Sequence, residues 1–255
     1  MSHDAIVLAG GTGRRLGGAS KPALMLHGRR LLDHALTATA GARSVAVVAP
    51  DTIAVPDGVL RTLEDPPHGG PVAGIAAGLA ALDRAAQAAA RGSAPLTLVL
   101  ACDIPGAASA VPRLLARAVS HPDAAEAIST LVGSRGRVDN PALGDKSAVG
   151  GKSAVGDKSA VGDKSAVGEA AGGGGWDGVV VQDVSGRDQW LVGLYRTDPL
   201  RERLSEIVAG GGLTGCPVRE LVRSMRLVTV VAKGREAADI DTWEDLRKAA
   251  VDPWQ

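Results

Sequence analysis

The chain has 255 residues, 45% of them hydrophobic, which allows one large α/β domain with a sizeable core. Its 28 Lys and Arg balance its 28 Asp and Glu, so no overall field favours nucleic acid or an anionic membrane. Cys102 and Cys216 have no disulfide or zinc spacing, and neither an export signal nor a run of about 18 apolar residues occurs. We expect a cytoplasmic monomer or small homo-oligomer without nucleic-acid or membrane partners.

A short apolar run near the start of the chain leads directly into glycines and basic residues. Residues 5–9 predict a buried strand. The residues that follow include Gly10, Gly11, Gly13, Arg15 and Lys21. Because glycine has no Cβ, backbone N–H groups there can approach an anion closely, and the two cations can bind phosphate oxygens. The stretch predicts a phosphate-binding loop, with a plain glycine turn carrying exposed basic residues as the alternative.

Two common glycine-rich nucleotide motifs do not fit this chain. In the dinucleotide pattern G-x-G-x-x-G, counted from Gly11, Leu16 stands where the third glycine belongs. The Walker A pattern fails before Gly151, because Lys146 stands where its first glycine belongs. The predicted phosphate-binding loop is therefore of a different type.

The segments after this loop alternate between helix and strand. Residues 31–40 predict a helix with one apolar face, and residues 44–49 and 59–63 predict strands. A strand, a helix and a second strand close together in the chain form a right-handed crossover unit with parallel strands. Such a sheet has its ligand site at the carboxyl ends of the strands.

A Pro/Gly-rich loop follows the third predicted strand. Glu64 and Asp65 end that strand, and Pro71 can start an Ala-rich helix that runs to about residue 90. This order puts the loop on the ligand side of the sheet. The alternative is a plain Pro-initiated helix whose glycines allow close packing.

Residues 96–101 form the most apolar strand candidate, and Asp103 follows it directly. An acidic residue at the carboxyl end of a central strand faces the crevice, where Mg²⁺ bound to a triphosphate needs a hard carboxylate ligand. Asp103 is thus the first candidate metal ligand. A helix cap or a turn is the alternative role for an Asp in this position.

The remaining chain contains one unusual segment between predicted regular elements. Residues 111–119 predict a helix and residues 124–131 a strand, after which a six-residue repeat occupies residues 144–168. The repeat is too poor in apolar residues to offset the entropy of ordering, so it predicts a flexible insertion. Residues 178–182 and 190–195 then predict a hairpin, and further elements follow at residues 198–210, 217–225 and 227–231. Thr242, with Asp245 three places later, is typical of a helix start.

The motif L-A-G-G-x-G-x-R-L-G at residues 8–17, followed by Lys21, resembles the amino-terminal signature of the nucleotidyltransferase superfamily. Its paired glycines are most similar to the MobA-like branch, the molybdenum cofactor guanylyltransferase family. The resemblance implies an α/β fold: a single Rossmann-like, three-layer domain with a mostly parallel central sheet, of the glycosyltransferase-A-like type. We expect this nucleotidyltransferase domain to span residues 1–255, interrupted by the flexible insertion at residues 144–175.

The resemblance also implies roles for particular residues. The catalytic residues it implies are Arg15, Lys21 and Asp103. The nucleotide-binding residues are Leu8, Ala9, Gly10, Gly11, Gly13, Lys21, Asp65, Gly70, Pro71, Ala73, Gly74 and Asp103. Asp103 and Asp241 would hold Mg²⁺, although the segment around Asp241 is also typical of a helix start. Gln189 and Tyr195 would contact the acceptor, in a motif where Trp190 replaces the family's proline. For Tyr195, a place in the core is the alternative.

The function implied is Mg²⁺-dependent transfer of GMP from GTP to a phosphorylated acceptor of the molybdopterin type, with release of pyrophosphate. Cytidylyl transfer and phospholactate guanylyl transfer are alternatives within the same chemistry. A catalytically inactive, nucleotide-binding regulatory protein is the alternative of a different class.

Overall fold

Strands and helices alternate along the chain and build one central sheet. The computed structural model describes residues 2–11, 14–120 and 175–251. The strands are β1 (His3–Leu8), β2 (Met25–Leu26), β3 (Arg29–Arg30), β4 (Val45–Val48), β5 (Leu60–Thr62), β6 (Leu96–Ala101), β7 (Gly178–Gln182), β8 (Asp188–Arg196) and β9 (Leu227–Val231). The helices are α1 (Leu31–Ala38), α2 (Pro71–Ala88), α3 (Ala107–Val119), α4 (Thr197–Ala209), α5 (Val218–Val222) and α6 (Trp243–Val251).

The central sheet has seven strands within the described residues, in the order β5-β4-β1-β6-β8-β7-β9. The pairs β5–β4, β4–β1, β1–β6 and β7–β9 are parallel, whereas β8 is antiparallel to both β6 and β7. The sheet is therefore mostly parallel, as the alternation of strands and helices predicts. Strands β2 and β3 form a separate small hairpin.

Helices cover both faces of the sheet, because successive residues of a strand point to opposite sides. On β1, Ile6 packs in one cluster with Ile75 of α2, whereas Ala5 packs in another cluster with Leu114 of α3. At Gly78 of α2, an added Cβ would lie 2.7 Å from Ile6 Cγ2, so this glycine lets the helix approach the strand closely. The result is the predicted three-layer α/β architecture.

Most predicted elements are present, with shifted ends. Helix α1 ends at Ala38 and α2 at Ala88, and β5 occupies Leu60–Thr62. The prediction that α3 starts at residue 111 is wrong, because the helix begins at Ala107 and contains Pro112. Ala107 and Ala110 are buried in the core, and this packing supports the first turns although Pro112 lacks an N–H donor.

The strand predicted at residues 124–131 and the repeat at residues 144–168 lie outside the described residues. The described residues group into one compact unit, and the interruption of the domain at residues 144–175 stays a prediction. No helix of the described ranges combines the length and the apolar character needed to cross a membrane.

Candidate active site

A cleft opens at the carboxyl ends of the parallel strands, as the topology predicts. Its volume is about 390 Å³. Its walls are formed by Leu8, Gly10, Gly11, Val48, Glu64, His68, Gly70, Pro71, Gly74, Ala101, Cys102, Asp103 and Leu191. The cleft thus joins the loop after β1, the loop before α2 and the end of β6.

A cluster of charged side chains lies at the β6 end of this cleft. Lys21 Nζ lies 3.0 Å from Asp103 Oδ2 and also contacts Asp241 Oδ1. Arg15 Nη1 lies 2.7 Å from Asp241 Oδ2. Lys21 is the most enclosed member, with 17% of its side chain exposed, whereas Arg15 is 75% exposed. All three predicted catalytic residues and both predicted metal ligands are therefore brought together.

A backbone hydrogen bond brings Asp241 next to Asp103, although their positions differ by 138 in the chain. The N–H of Ile240 donates to the carbonyl oxygen of Asp103 over 2.9 Å, which fixes the two segments side by side. Immediately after Asp241, the side chain of Asp245 accepts from the N–H of Thr242 at 2.8 Å, and Thr242 Oγ1 accepts from the N–H of Asp245 at 3.2 Å. This reciprocal capping starts α6. The segment therefore both starts a helix and contributes a carboxylate to the cluster.

The cluster keeps Lys21 positively charged. Burial of the ammonium group by itself lowers the pKa of Lys21, but hydrogen bonds to Asp241 and Asp103 and their negative charges outweigh it, so the pKa is raised. The same carboxylates favour the neutral form of Asp239. Partial burial, together with the nearby charges of Asp241 and Asp103, raises the pKa of the Asp239 carboxyl.

The donor set around Lys21 fits a magnesium ion that is held partly by its substrate. No group of three or more His, Cys, Asp or Glu side chains in the described residues is arranged to hold a metal ion. Mg²⁺, however, is commonly bound by only one or two carboxylates together with substrate phosphates and water. Asp103 and Asp241, which both contact Lys21 Nζ, are the two carboxylates of the cluster that could hold such an ion.

The loop after β1 supplies backbone donors beside this cluster. Gly11 has φ of +122°, which favours glycine, and both Gly10 and Gly11 line the cleft. Among the described residues, no group accepts a hydrogen bond from the N–H of Gly10 or Gly11. These donors are open to an anion, as a phosphate-binding loop requires. Gly13 lies outside the described residues.

The loop before α2 forms another part of the cleft wall. Gly70 has φ of +91° and directly precedes Pro71, the first residue of α2, and both line the cleft together with Gly74. A helix amino terminus carries unsatisfied N–H groups and a partial positive charge that favours anions. Ala9 and Ala73, two predicted nucleotide contacts, are instead buried and do not line the cleft.

Two predicted contacts lie elsewhere than expected. Asp65 is exposed and does not line the cleft, whereas its neighbour Glu64 does. Tyr195 does not face a ligand site: its side chain is buried, and its hydroxyl donates to the carbonyl oxygen of Trp190 over 2.6 Å. Added Cβ atoms at Gly178 and Gly193 would lie 2.7 and 2.8 Å from the Tyr195 ring, so the ring packs over these two glycines. The described geometry makes Tyr195 a core residue.

Gln189 lines a second cleft of about 340 Å³. Its Nε2 donates to Asp183 Oδ2 over 3.1 Å. Polar residues dominate this cleft, whose members include Asp183, Ser185, Arg187, Gln189, Arg235 and Asp239. Because Asp239 is two residues from Asp241, the second cleft begins close to the charged cluster.

Besides Glu64, five residues that line the first cleft were not predicted from the sequence. They are Val48, His68, Ala101, Cys102 and Leu191. Val48 and Ala101 are the last residues of β4 and β6, so the rule that ligands bind at the carboxyl ends of strands could have found them. Leu191 belongs to β8, and its position depends on the antiparallel pairing of β8 with β6. No local signal reveals that pairing.

One curated protein is similar to part of the chain. Over 81 residues, the chain is 46% identical to a molybdenum cofactor guanylyltransferase from Acidiphilium cryptum (strain JF-5). This match covers 29% of the chain and spans 40% of the length of that relative.

Comparison with solved structures supports the fold. Molybdopterin-guanine dinucleotide biosynthesis protein A from Archaeoglobus fulgidus is similar with a TM-score of 0.55 and 15% identity, over 97% of both chains. The 2-C-methyl-D-erythritol 4-phosphate cytidylyltransferase from Thermus thermophilus is similar with a TM-score of 0.55 and 17% identity, over 98% of both chains. A family model described as the MobA-like NTP transferase domain matches residues 5–228. Since that match covers most of the sequence, the chain belongs to the family of MobA-like NTP transferase domains.

Proposed function

We propose that this protein is a Mg²⁺-dependent nucleotidyltransferase that transfers GMP from GTP to a phosphorylated acceptor of the molybdopterin type and releases pyrophosphate. The observation that carries the proposal is the contact of Lys21 with both Asp103 and Asp241 at one end of the cleft. The N–H groups of Gly10 and Gly11, which have no acceptor among the described residues, lie in the same cleft as Asp103. Family membership and the partial match to a molybdenum cofactor guanylyltransferase support the same reaction.

The reaction is an in-line displacement at phosphorus. An oxygen of the acceptor phosphate forms a bond to the α-phosphorus of GTP while the bond from that phosphorus to the bridging oxygen of the β-phosphate breaks. Pyrophosphate leaves with the electron pair of the broken bond. Because the acceptor phosphate is already ionised at neutral pH, the protein does not need a general base.

The residues of the cluster have distinct tasks in this reaction. Lys21 and Arg15 supply positive charge where the phosphate oxygens gain negative charge. The N–H groups of Gly10 and Gly11 bind phosphate oxygens, and Asp103 and Asp241 hold the metal ion. Bound Mg²⁺ supplies charge neutralisation for the triphosphate. The raised pKa of Lys21 keeps this side chain protonated throughout the neutral range.

The second cleft, around Gln189, is the proposed place of the acceptor. It adjoins the charged cluster through Asp239, and its lining includes Arg187 and Arg235 together with Asp183 and Asp239. Guanidinium groups bind phosphate oxygens through paired donors. An acceptor with a phosphate group matches this lining.

The test is pyrophosphate release measured with GTP, ATP, CTP and UTP in turn, each with and without molybdenum cofactor as acceptor. We expect release with GTP only, and only in the presence of both Mg²⁺ and the acceptor. Release with CTP would favour the cytidylyltransferase alternative. Binding of GTP without any release of pyrophosphate would favour a regulatory protein and would contradict the proposal.

A further inference from the structure

Glu64 stands out because it is one of only two acidic residues that line the cleft within the described part of the chain. The other is Asp103, which belongs to the charged cluster with Lys21. Glu64 follows β5, at the edge of the sheet, whereas Asp103 follows β6. The cleft thus has a second carboxylate at the end that lies away from the proposed phosphate site.

The strand order sets the distance between these two ends. Three strand spacings separate β5 from β6 in the order β5-β4-β1-β6, which corresponds to about 14 Å. A nucleotide with its phosphates at the loop after β1 and at Lys21 would extend its base towards the ends of β4 and β5. There the walls include Val48 and Pro71, whose apolar surfaces suit the faces of a flat base.

The loop around Glu64 holds its carboxylate in place. Glu64 Oε1 accepts a hydrogen bond from the N–H of His68 over 3.1 Å. An added Cβ at Gly69 would lie 3.5 Å from Glu64 Cγ, in ordinary van der Waals contact, so Gly69 lies close to this side chain. The carbonyl of Gly69 in turn accepts from the N–H of Gly215 over 2.7 Å. In the described ranges, no group is hydrogen-bonded to Glu64 Oε2.

A fixed carboxylate with open acceptor positions recognises two neighbouring N–H donors. Guanine presents such a pair on its Watson–Crick edge, the ring N1–H and the exocyclic amino group. Adenine and cytosine present one donor next to a ring acceptor, and uracil presents one donor between two carbonyl oxygens. A carboxylate accepts from both donors of guanine, but on each of the other bases one of its oxygens faces another acceptor, whose lone pair repels it.

We propose that Glu64 selects the base of the nucleotide by accepting hydrogen bonds from the N1–H and amino groups of guanine. This inference rests on the proposed nucleotidyltransferase function and adds a residue that determines specificity. Glu64 acts on the base and is distant from the reacting phosphorus. Its replacement therefore weakens binding of one nucleotide selectively.

The test uses dissociation constants, measured by calorimetry with Mg²⁺, for GTP, ITP, ATP and CTP. ITP is informative because its base keeps N1–H and lacks only the amino group. We expect the wild-type protein to bind GTP at least about tenfold more tightly than ITP. In Glu64→Gln, we expect GTP affinity to fall on the order of tenfold or more and the preference for GTP over ITP to disappear, with ATP and CTP affinity little changed.

Glu202→Gln is the matched control, because Glu202 is an exposed residue of α4 that does not line the cleft. It should keep the wild-type affinities. Equal binding of GTP and ITP by the wild-type protein would overturn the role of Glu64 without any variant. An unchanged ratio of GTP to ITP affinity in Glu64→Gln would overturn it while the transferase function stands. Failure of the wild-type protein to bind any nucleotide would overturn both.

Discussion

Two clusters of Asp and basic side chains lie at opposite ends of the strands of the central sheet. They differ in how the charges are shared. At the amino end, Asp4 pairs with Arg43 over 3.1 Å and also accepts from the N–H of Ala94 over 3.4 Å. At the carboxyl end, Lys21 is shared between Asp103 and Asp241. The Asp4 side chain is 5% exposed, whereas that of Asp103 is 25% exposed.

This difference separates a structural ion pair from a site that can bind a ligand. The carboxylate of Asp4 is buried among its ion-pair and hydrogen-bond partners, so it is not accessible to a ligand. At the carboxyl ends of the strands, Asp103 and Asp241 share one cation and Asp103 lines the cleft, so these carboxylates are accessible to a ligand. The same residue types therefore stabilise the fold at the amino ends of the strands and, in the function we propose, bind the ligand at the carboxyl ends.

The largest expected effect concerns the carboxyl-end cluster. In Asp103→Asn, we expect the rate of pyrophosphate release to fall by about 10³-fold, because a charge that acts on the reacting phosphates is lost. The thermal midpoint should change little, since Lys21 keeps its contact with Asp241. Steady-state rates and thermal unfolding curves of the same preparation measure both quantities.

The control for this change is Asp57→Asn, which alters an exposed Asp away from both clusters. It should match the wild-type protein in rate and midpoint. If Asp103→Asn kept its full rate, Asp103 would have no part in the reaction.

The amino-end cluster should show the opposite pattern. In Asp4→Asn, we expect the free energy of unfolding to fall by about 3 kcal/mol, because a buried ion pair loses one partner. That loss lowers the thermal midpoint by about 6–12 °C in a chain of this size. The rate of pyrophosphate release, measured well below the midpoint, should stay at the wild-type value. If Asp4→Asn lost rate with an unchanged thermal midpoint, the distinction between the amino-end and carboxyl-end clusters would be contradicted.

The smallest expected effect appears only at acidic pH and involves His3, the neighbour of Asp4. Its imidazole is buried, and within the described residues neither ring nitrogen has a hydrogen-bond partner. Burial lowers the pKa of His3 from its usual value of 6.5, an effect that the charge of Asp4 only partly offsets. The folded state therefore holds His3 neutral in a pH range where the unfolded chain binds a proton.

The consequence for stability follows from this proton balance. The contribution of His3 is fully present above pH 6.5 and is lost as the pH falls from there through the lowered pKa of the folded state. We expect His3→Leu to remove this part of the pH dependence. Urea unfolding of both proteins between pH 8 and pH 5 measures it, and parallel curves for the two proteins would contradict the assignment.

The sequence predicted the elements whose signals are local. The apolar run of β1, the apolar run of β6 and the Pro-initiated start of α2 all appear as expected. The position of Asp103 at the cleft follows from topology, because the carboxyl ends of parallel strands meet at one edge.

Other residues could not be assigned from local patterns. Glu64 and Asp65 are neighbours of the same charge, and only the path of the loop after β5 turns Glu64 towards the cleft. Tyr195 was predicted to contact the acceptor, yet in β8 it packs over Gly178 and Gly193. A glycine within a strand indicates close packing. That the Tyr195 ring packs over both glycines follows only from the pairing of β7 with β8.

The amino-acid sequence by itself determined the alternation of strands and helices, the glycine loop after the first strand and the acidic residue after the most apolar strand, because periodicity and turn chemistry depend on neighbours in the chain. Only the tertiary structure decided that Lys21 lies between Asp103 and Asp241, and that Glu64 rather than Asp65 faces the cleft. The physical reason is that such contacts join segments far apart in the chain, and their geometry depends on strand order and backbone pairing that no short stretch encodes.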